Sequence, residues 1–517
     1  MVRKRKRINT TILSIFLIIA MLLVGCKKED ESTTPTTNEG VVKVNVMTSE
    51  HPAQPLNNDT PVVKEIEKRL GVKINLQPVP SSDYDAKKQV LIATNNIPDI
   101  MKVNLTELRE YADKGVYVNI SEHLDKLPNY KKAIENVEDV NKLKINGDLY
   151  GFHNLTYKGM YYGQFPMIRV DILEELGVEQ PTTFDELYQV LKQMKEAYPD
   201  TYPWTMRNGA TGNLSYLAYA FGSGHNAYYE PKEDKYLFGP AHPEYKEVLT
   251  YLNKMYQEGL LDPNYASNDA TIWQQNLSSG KSLFFYDNNS FTVNFNAALE
   301  QENQDARFDM LPVLANAKGE RRNYMYPPHH VTEAYVISSK AKNLDRILEM
   351  FDWMYSEEGY EVTNFGIEGE HFTKENGEIK INEELIEEFK GKNDPTRAIQ
   401  SHLGSGYLSF TPYADDQLYF YLFSPPSVKE WSDLVEKQRD EGLVTPNPLP
   451  PVFTEEETEK LKDLQTRVET IVTENVDKFI LGDRSLDEYD KFMQELKDAG
   501  ATEIEDIYNA AYSRLGE

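Results

Sequence analysis

The sequence is almost without cysteine. Its 517 residues contain a single one, Cys26, so an intramolecular disulfide is excluded and the folded part must be held together by its own core. The apolar run near the N-terminus is also short. It has thirteen residues, Ile12 to Val24, whereas a membrane-spanning helix needs about 20.

Positive charge is scarce relative to negative charge. The chain has 55 Lys and Arg residues against 83 Asp and Glu residues, and its formal net charge is −28. If residues 1–25 are removed, five basic residues go with them and the charge becomes −33. Such a field repels nucleic acid and opposes membrane docking through basic faces. We therefore expect no nucleic-acid partner.

The N-terminus has the layout of a secretory signal. A basic patch, "VRKRKR", precedes the apolar run, and the run ends in "LLVGC", Leu22 to Cys26. This ending resembles the lipobox of bacterial lipoproteins, which implies cleavage before Cys26 and a diacylglyceryl group on its sulfur. Two acyl chains anchor a protein stably, whereas one holds it only marginally. The alternative is an uncleaved signal anchor with an incidental thiol.

The rest of the chain is too long for one core. Residues 26–40 carry no large apolar side chain and are expected to form a flexible tether. The 492 residues from Cys26 onward predict two or more domains. The 33 Tyr against 21 Phe and 4 Trp favour rings with one wet edge, as at polar clefts, although tyrosines at the rims of ordinary cores explain most of them.

Residues 41–103 alternate between strand and helix patterns. Strands are predicted at "VVKVNVMTS" (41–49), "VKINLQPVP" (72–80) and "IPDIMKV" (97–103). Between them lie a helix from Pro61 to its stop at Gly71 and a helix that begins at Ser81 or Ser82. This order predicts a mainly parallel sheet with right-handed crossovers.

Helix patterns dominate further along the chain. "RVDILEELG" ends at Gly177, and the next helix begins with a capping box of Thr183 and Glu186. A similar helix ends at Gly259, and the tail from about residue 454 is helical and amphipathic. The fold class is therefore α/β.

Catalytic motifs are incomplete. "GKS" at 280–282 ends like a phosphate-binding loop, but Gln275 stands where the first glycine is needed and a strand follows. Ser223 and Ser405 lack the upstream glycine of a nucleophile elbow. The nine histidines show no paired metal spacing, and His329-His330 fit a loop better than a ligand pair. A thiol nucleophile is excluded if Cys26 carries lipid.

Carboxylate pairs keep an enzymatic alternative open. Glycosidases use two carboxyl groups about 5–10 Å apart. Glu368 with Glu370, Asp287, or Asp415-Asp416 could supply such a pair. Because 83 acidic residues make close pairs unavoidable, this pattern is weak.

Several segments together resemble the extracellular solute-binding proteins of family 1, the maltose-binding-protein-like receptors of ABC importers, and among them the LplA-type lipoproteins of Gram-positive bacteria. They run from about residue 60 to the C-terminus and include "GVKINLQPVPSSDYDAKKQVLIATNNIPDI", "RVDILEELGVEQPTTFDELYQVLKQMK", "YKEVLTYLNKMYQEGLLDP", "YSEEGYEVTNFGIEGEHFT" and the tail "VDKFILG…LDEYDKFMQELKDAG…IYNAAYSR".

The resemblance implies a two-lobed, periplasmic-binding-protein-like (type II) fold with an interlobe hinge. We place the chain crossings near 155–165, 325–335 and 415–425. The predicted parts are lobe 1 at 41–160 and 331–420, lobe 2 at 161–330, and a C-terminal helical part at 421–517, mainly in lobe 2. Related receptors often carry a calcium loop after the helix at 184–197, but "YPDTYPWTMRNG" has one acid, Asp200, so no metal and no other cofactor is expected.

The resemblance also implies a carbohydrate ligand, most often an oligosaccharide, held between the lobes. Sugars need aromatic faces for stacking and planar polar groups for paired hydrogen bonds. The loops near the crossings supply the candidate ligand contacts: Tyr161, Tyr162, Gln164, Trp204, Arg207, Asp287, Asn288, Tyr324, Tyr326, Glu368 and Glu370. For the aromatic residues among them, the alternative is packing in a core or a hinge. Arg207 or Lys158 could neutralise an anionic sugar, and Trp273 and Trp431 are expected in a core or at a rim.

The sequence thus predicts a monomeric, lipid-anchored receptor that performs no bond chemistry. It would sit on the extracytoplasmic face of a Gram-positive cell membrane and pass an oligosaccharide to the permease subunits of an ABC transporter. A receptor for peptides or other solutes, and a surface glycoside hydrolase or lyase, remain the alternatives.

Overall fold

The computed structural model describes residues 40–52, 54–156, 162–207, 209–327, 329–392 and 394–515. The predictions for the leader, for Cys26 and the tether up to residue 39, and for Lys158 and Tyr161 lie outside these described residues. Within the described ranges, no helix is both long enough and apolar enough to cross a membrane.

The strands have the following bounds in chain order: β1 (Val42–Glu50), β2 (Val72–Pro80), β3 (Ile100–Asn104), β4 (Phe152–Thr156), β5 (Gln164–Arg169), β6 (Ala227–Glu230), β7 (Lys235–Phe238), β8 (Phe284–Asn288), β9 (Phe308–Met310), β10 (Asn323–Met325), β11 (His330–Ile337), β12 (Phe372–Glu375), β13 (Glu378–Ile381), β14 (Tyr413–Ala414) and β15 (Val444–Pro446).

The α-helices have the following bounds: α1 (Pro61–Leu70), α2 (Ser81–Ala93), α3 (Leu105–Ala112), α4 (Pro128–Ile134), α5 (Glu138–Lys142), α6 (Val170–Leu176), α7 (Phe184–Ala197), α8 (Gly209–Ala220), α9 (Tyr245–Gln257), α10 (Ala270–Ser278), α11 (Thr292–Leu299), α12 (Leu344–Met354), α13 (Glu357–Phe365), α14 (Glu383–Phe389), α15 (Pro395–Leu403), α16 (Gln417–Leu422), α17 (Pro426–Asp440), α18 (Glu455–Leu481), α19 (Tyr489–Ala499) and α20 (Ala501–Ser513). Short 3₁₀ turns lie at Ser121–Lys126, Gly239–Ala241, Asn289–Phe291 and Leu486–Glu488.

Lobe 1 is built around a six-stranded sheet in the order β14-β4-β11-β3-β1-β2. The strand β1 pairs in parallel with β2 and β3, which confirms the β-α-β-α-β start predicted from the sequence. The helix α1 has the predicted bounds because the Thr60 side chain caps its N-terminus and Gly71 ends it at φ 60°. Beneath the sheet, Phe152 stacks on Phe351 with ring centroids 4.0 Å apart.

Lobe 2 is built around a three-stranded sheet in the order β8-β5-β9, in which β5 is antiparallel to both neighbours. The helices α7 and α9 and the long C-terminal helix α18 pack in its core. On α18, Val468, Val472 and Val476 recur every four residues and are buried, as the amphipathic pattern predicts. Its first turn has a capping box of Thr454 and Glu457.

The helix α2 begins at Ser81, as predicted, after the N-cap residue Pro80. Two other local predictions need correction. At α7 the Thr183 hydroxyl accepts from the Glu186 N–H, yet the Glu186 carboxylate accepts from Thr182 instead of returning to Thr183. The predicted capping box is therefore half formed. The helix α9 ends at Gln257, two residues before Gly259.

The chain passes between the two sheets at three places. It leaves the lobe 1 sheet after β4 and enters the lobe 2 sheet at β5, and it returns between β10 and β11. After β14 it runs through α16 into α17, which packs on aromatic and apolar residues around β5 and β8. The residues at which each lobe begins and ends stay a prediction.

Candidate functional site

Two neighbouring cavities lie where these connections meet. The first has a volume of about 190 Å³ and the second of about 90 Å³, and Tyr162 and Arg397 line both. We call the two cavities together the interlobe site. The first is lined by Tyr162, Asn289, Ser290, Arg397, Phe420, Tyr421, Val428, Trp431 and Ser432. The second is lined by Thr156, Tyr162, Pro327, His330, Arg397, Tyr407, Ala414 and Asp416.

The chain segments at Tyr162 and Tyr326 are held side by side. The Tyr326 N–H donates to the Tyr162 carbonyl at 3.0 Å, and the two rings meet edge to face at 5.1 Å. Gly163 allows this close approach, because a Cβ there would lie 3.1 Å from the Met325 Cα and 3.3 Å from a carbonyl oxygen. The two connections therefore lie side by side and form one wall of the site.

The carboxyl end of β8 carries an ion pair. Arg207 Nε and Nη2 donate to the two oxygens of Asp287 at 2.7 and 3.0 Å, and the Asp287 side chain is 2% exposed. The hydrogen bond to Asp287 raises the pKa of Arg207. Trp273 and Phe291 present their rings to the guanidinium at 5.0 and 4.9 Å. Arg207 and Asp287, both predicted as ligand contacts, thus form an ion pair with each other.

Gln164 and Asn288 flank this pair and contact Tyr326. Burial raises the pKa of Tyr326 and the charge of Asp287 raises it further, while side-chain hydrogen bonds from Gln164 and Asn288 lower it. Asn288 also caps the following 3₁₀ turn by accepting from the Ser290 N–H at 2.9 Å. The structure therefore brings together six of the predicted residues: Tyr162, Gln164, Arg207, Asp287, Asn288 and Tyr326.

Lobe 1 contributes a second ion pair, which the sequence analysis missed. Arg397 on α15 donates to Asp416 at 3.0 Å and to the Gln400 side chain at 2.8 Å. Asp416 also accepts from the Tyr407 N–H at 3.2 Å, and the Tyr407 ring stacks on His330 with centroids 4.8 Å apart. Arg397 and Tyr407 carry no local sequence signal for this role, whereas Asp416 appeared only as half of a possible acidic pair.

The other side of the first cavity is apolar. Phe420, Tyr421, Val428 and Trp431 come from α16 and α17. Trp431 is 4% exposed, and its indole N–H donates to the Asp309 carboxylate, which fixes the ring plane. An aromatic wall that faces polar side chains has the amphipathic character that sugar rings require.

Two buried acceptors at the site have no protein partner among the described residues. They are Oδ1 of Asn289, which lines the first cavity and is 3% exposed, and Oε1 of Gln164, which lies beside Tyr326 but lines neither cavity. Buried polar atoms are rarely left without a hydrogen bond. A donor from a ligand in the first cavity, such as a sugar hydroxyl, would satisfy Oδ1 of Asn289.

The structure places the remaining predicted residues elsewhere. Trp204 is 0% exposed in the lobe 2 core, with its edge-to-face partner Phe284 4.9 Å away, so it offers no stacking face to a ligand. Tyr324 stacks on Tyr219 at 3.6 Å and lines another cavity of lobe 2. Glu368 and Glu370 are exposed beside β12 and line neither cavity of the interlobe site. Tyr161 lies outside the described residues.

Carboxylates and metal ligands are sparse at the site. Among the described residues that line its two cavities, Asp416 supplies the one carboxylate, and it is paired with Arg397. Of the acids considered as a catalytic pair, Asp415 is buried and accepts from the Tyr360 hydroxyl at 2.7 Å. In the part of the chain that the structure describes, no three His, Cys, Asp or Glu side chains are grouped to hold a metal ion.

A larger cavity of about 560 Å³ lies elsewhere, between the starts of α7 and α9 and the segment 315–319. Every residue that lines it belongs to lobe 2. We place the candidate site at the crossings instead, because there both lobes contribute side chains and a ligand would contact both at once.

Comparison with known proteins agrees with this architecture. Lipoprotein LipO of Bacillus subtilis is 23% identical over 96% of this chain and 97% of its own length. The polygalacturonan/rhamnogalacturonan-binding protein YtcQ of the same species is 24% identical over 97% of this chain and 98% of its own.

The fructooligosaccharide ABC transporter substrate-binding protein FusA of Streptococcus pneumoniae is 24% identical over 97% of both chains. Its solved structure in complex with kestose superposes with a TM-score of 0.65 and 22% identity over 92% of this chain and 99% of FusA. The fold is therefore that of two-lobed solute-binding proteins, as predicted.

A sequence profile of the bacterial extracellular solute-binding proteins matches residues 57–361, which is more than half of the chain. This match confirms the resemblance found in the sequence, and the chain belongs to the bacterial extracellular solute-binding protein family.

Proposed function

We propose that the protein is a lipid-anchored receptor of an ABC importer. It binds an oligosaccharide in the interlobe site and delivers it to permease subunits in the membrane. It acts as a monomer on the extracytoplasmic face of a Gram-positive cell membrane, anchored through Cys26, and makes or breaks no covalent bond in its ligand.

The observation that carries this proposal is the shared wall of the two cavities. Tyr162 from the connection to lobe 2 and Arg397 from lobe 1 line both, so one ligand would touch both lobes. The rings that line the first cavity and the unpaired acceptor of Asn289 match the apolar and polar parts of a sugar. The single carboxylate among the described lining residues does not suit a two-carboxylate hydrolase.

This geometry also indicates how binding would be signalled. A ligand that contacts both lobes binds the closed arrangement more tightly than the open one and therefore shifts the population toward it. The three connections between the sheets are where the backbone would turn. The permease would then recognise the surface that the closed form presents.

The names of the relatives support a carbohydrate ligand. FusA is a fructooligosaccharide-binding protein and YtcQ binds polygalacturonan and rhamnogalacturonan. Fructooligosaccharides are uncharged, whereas polygalacturonan is a polyanion, so the relatives leave the charge of the ligand open.

The ligand proposal is tested with the full-length protein in detergent. Thermal unfolding is followed with panels of oligosaccharides and peptides, while the same mixtures are analysed for new products. A receptor is stabilised by RT ln(1 + [L]/Kd) and yields no product. Tyr162→Ala should abolish the shift, whereas Tyr111→Ala, on the distant helix α3, should keep it.

Each other outcome points to a different function. A melting shift with peptides alone would favour a peptide receptor. Release of sugar fragments that disappears in Asp416→Asn would favour a hydrolase or lyase. Either result would overturn the proposal.

The lipid anchor is tested separately in cells. Wild type should incorporate labelled palmitate and sediment with membranes, and Cys26→Ala should do neither. Thr33→Ala, in the predicted tether, is the matched control and should behave as wild type. Equal labelling of wild type and Cys26→Ala would refute anchoring through Cys26.

A further inference from the structure

The charges around the interlobe site are matched in opposite pairs. Among the described residues that line the two cavities, Arg397 is the only Lys or Arg and Asp416 the only Asp or Glu. They are bonded to each other at 3.0 Å, and their side chains are 21% and 12% exposed. The positive charge of Arg397 is therefore already balanced by Asp416 before any ligand binds.

Arg397 is further engaged by neutral groups. It donates to the Gln400 side chain at 2.8 Å, and its guanidinium lies 5.2 Å from the centre of the Tyr407 ring. The Gln400 amide donates in turn to the second oxygen of Asp416 at 2.9 Å. These bonds balance the charge of Arg397 through Nη1, whereas its Nε and Nη2 have no hydrogen-bond partner among the described residues.

The second arginine near the site is paired as well. Arg207 makes two hydrogen bonds to Asp287, whose side chain is 2% exposed. If a ligand carboxylate took the place of Asp287, that buried acid would lose its partner. Removing one partner of a buried ion pair is strongly unfavourable, because a charge is left without compensation.

The other basic groups that the structure describes near the site add no unbalanced positive charge. Lys102, which lies near His330, is bonded to Glu333 at 2.7 Å. Burial lowers the pKa of His330, and Asp416 and Glu333 raise it while Lys102 and Arg397 lower it. Burial likewise lowers the pKa of His329, whose Nδ1 accepts from the Thr156 N–H. Both imidazoles are therefore neutral at physiological pH.

From this pairing we infer that the ligand is an uncharged oligosaccharide and not an oligouronate. The inference rests on the proposed function and narrows it to one class of sugar. A chain of uronates would bring one carboxylate per residue into a site whose described cations are each committed to an acid. An uncharged sugar has hydroxyl groups and no carboxylate, and a hydroxyl suits the unpaired acceptor of Asn289.

The test compares sugars of equal length and opposite class. Calorimetric titrations of the full-length protein in detergent use maltotetraose, xylotetraose and nystose as the uncharged set, and tetragalacturonate and tetramannuronate as the charged set. An ionic strength of about 0.15 M limits long-range repulsion to about 8 Å. At least one uncharged sugar should bind at least about tenfold more tightly than either uronate.

Variants separate local pairing from total charge. Asp416→Asn keeps the shape of the side chain and one of its two acceptor oxygens, removes the charge that balances Arg397, and should raise uronate affinity by at least about tenfold. Asp345→Asn removes the same charge from an exposed pair with Lys126 on the outside of lobe 1 and should leave uronate affinity unchanged. If Asp416→Asn does not fold, Asp287→Asn tests the second pair in the same way.

The outcomes distinguish this inference from the function on which it rests. Uronates that bind wild type as tightly as any uncharged sugar overturn the inference and leave the receptor intact. An unchanged uronate affinity in Asp416→Asn, or in Asp287→Asn where that variant replaces it, also overturns it. Binding of neither class overturns the proposed function, and the inference with it.

Discussion

Replacing Trp204 by alanine should lower the stability of lobe 2 and leave the ligand affinity unchanged. The side chain is 0% exposed, with Phe284 4.9 Å and Tyr251 6.3 Å away between ring centroids. Truncating a buried tryptophan costs about 3–5 kcal/mol, because the transfer energy is lost and a cavity is left. Ligand affinity should stay unchanged, because the ring lines neither cavity of the interlobe site.

A second substitution at Trp204 separates the effect of lost side-chain volume from the effect of the unpaired indole N–H. The indole Nε1 of Trp204 is buried without a hydrogen-bond partner in the described structure, and such a donor costs about 1–3 kcal/mol. Trp204→Phe removes that donor and keeps an aromatic ring. It should therefore remain within about 2 kcal/mol of wild type.

Scanning calorimetry measures both variants. For a cooperative unit of 150–250 residues, 1 kcal/mol shifts Tm by about 2–4 °C, so Trp204→Ala should lower the Tm of its unit by about 6 °C or more. Trp353→Ala, on the half-buried face of α12, is a control for loss of an indole and should cost less. An unchanged Tm together with lost sugar binding would show that Trp204 faces the ligand, and would refute this reasoning.

The remaining predictions concern acid sensitivity and the ion pair at β8. Burial lowers the pKa of His153 and of His225 to about 4, whereas a histidine in the unfolded chain has a pKa of about 6.5. Between these two values the unfolded chain binds more protons than the folded chain. Stability is therefore lost as the pH falls from about 6.5 toward 4. The difference is worth at most about 3 kcal/mol per histidine, and urea midpoints of His153→Asn should fall less steeply with acid than those of wild type; equal slopes would contradict this. Arg207→Ala should lower the free energy of unfolding by about 3–5 kcal/mol, since it leaves Asp287 buried and unpaired, and Arg207→Ala with Asp287→Ala should recover part of it. A double variant no more stable than the single one in urea titrations would argue against this pairing.

Local patterns predicted the start of the fold well. The strands and helices from β1 to β3 depend on alternation, Thr60, Pro61 and Gly71, all of which act within a few residues. The same holds for α7, where Leu187 and Leu191 follow a helical spacing of four residues and are buried. The capping box at α7 was only half right, because the Glu186 carboxylate accepts from Thr182 and not from the N-cap residue Thr183.

The site was predicted in part, because only some of its residues lie in sequence segments with a recognisable pattern. Polar residues at the ends of β5 and β8 marked one wall, and they are neighbours because these strands pair antiparallel, with Gln164 opposite Asn288. Arg397 and Tyr407 meet that wall from more than 100 residues away in sequence, and no spacing rule connects them.

Trp204 shows the opposite error. Its polar neighbours suggested a loop, but the Trp204 backbone bridges Leu261 and Phe284, so the segment lies between two buried elements. The ring is therefore covered from both sides, which only the tertiary fold could reveal.

The account rests on one ligand touching both lobes at Tyr162 and Arg397. The most direct measurement is calorimetric titration, with the oligosaccharide that most stabilises wild type, of Tyr162→Ala, Arg397→Met and the control Tyr111→Ala. The account predicts that each of the first two weakens binding by at least about tenfold, or 1.4 kcal/mol, and that the control binds as wild type. Wild-type affinity in both site variants would contradict it.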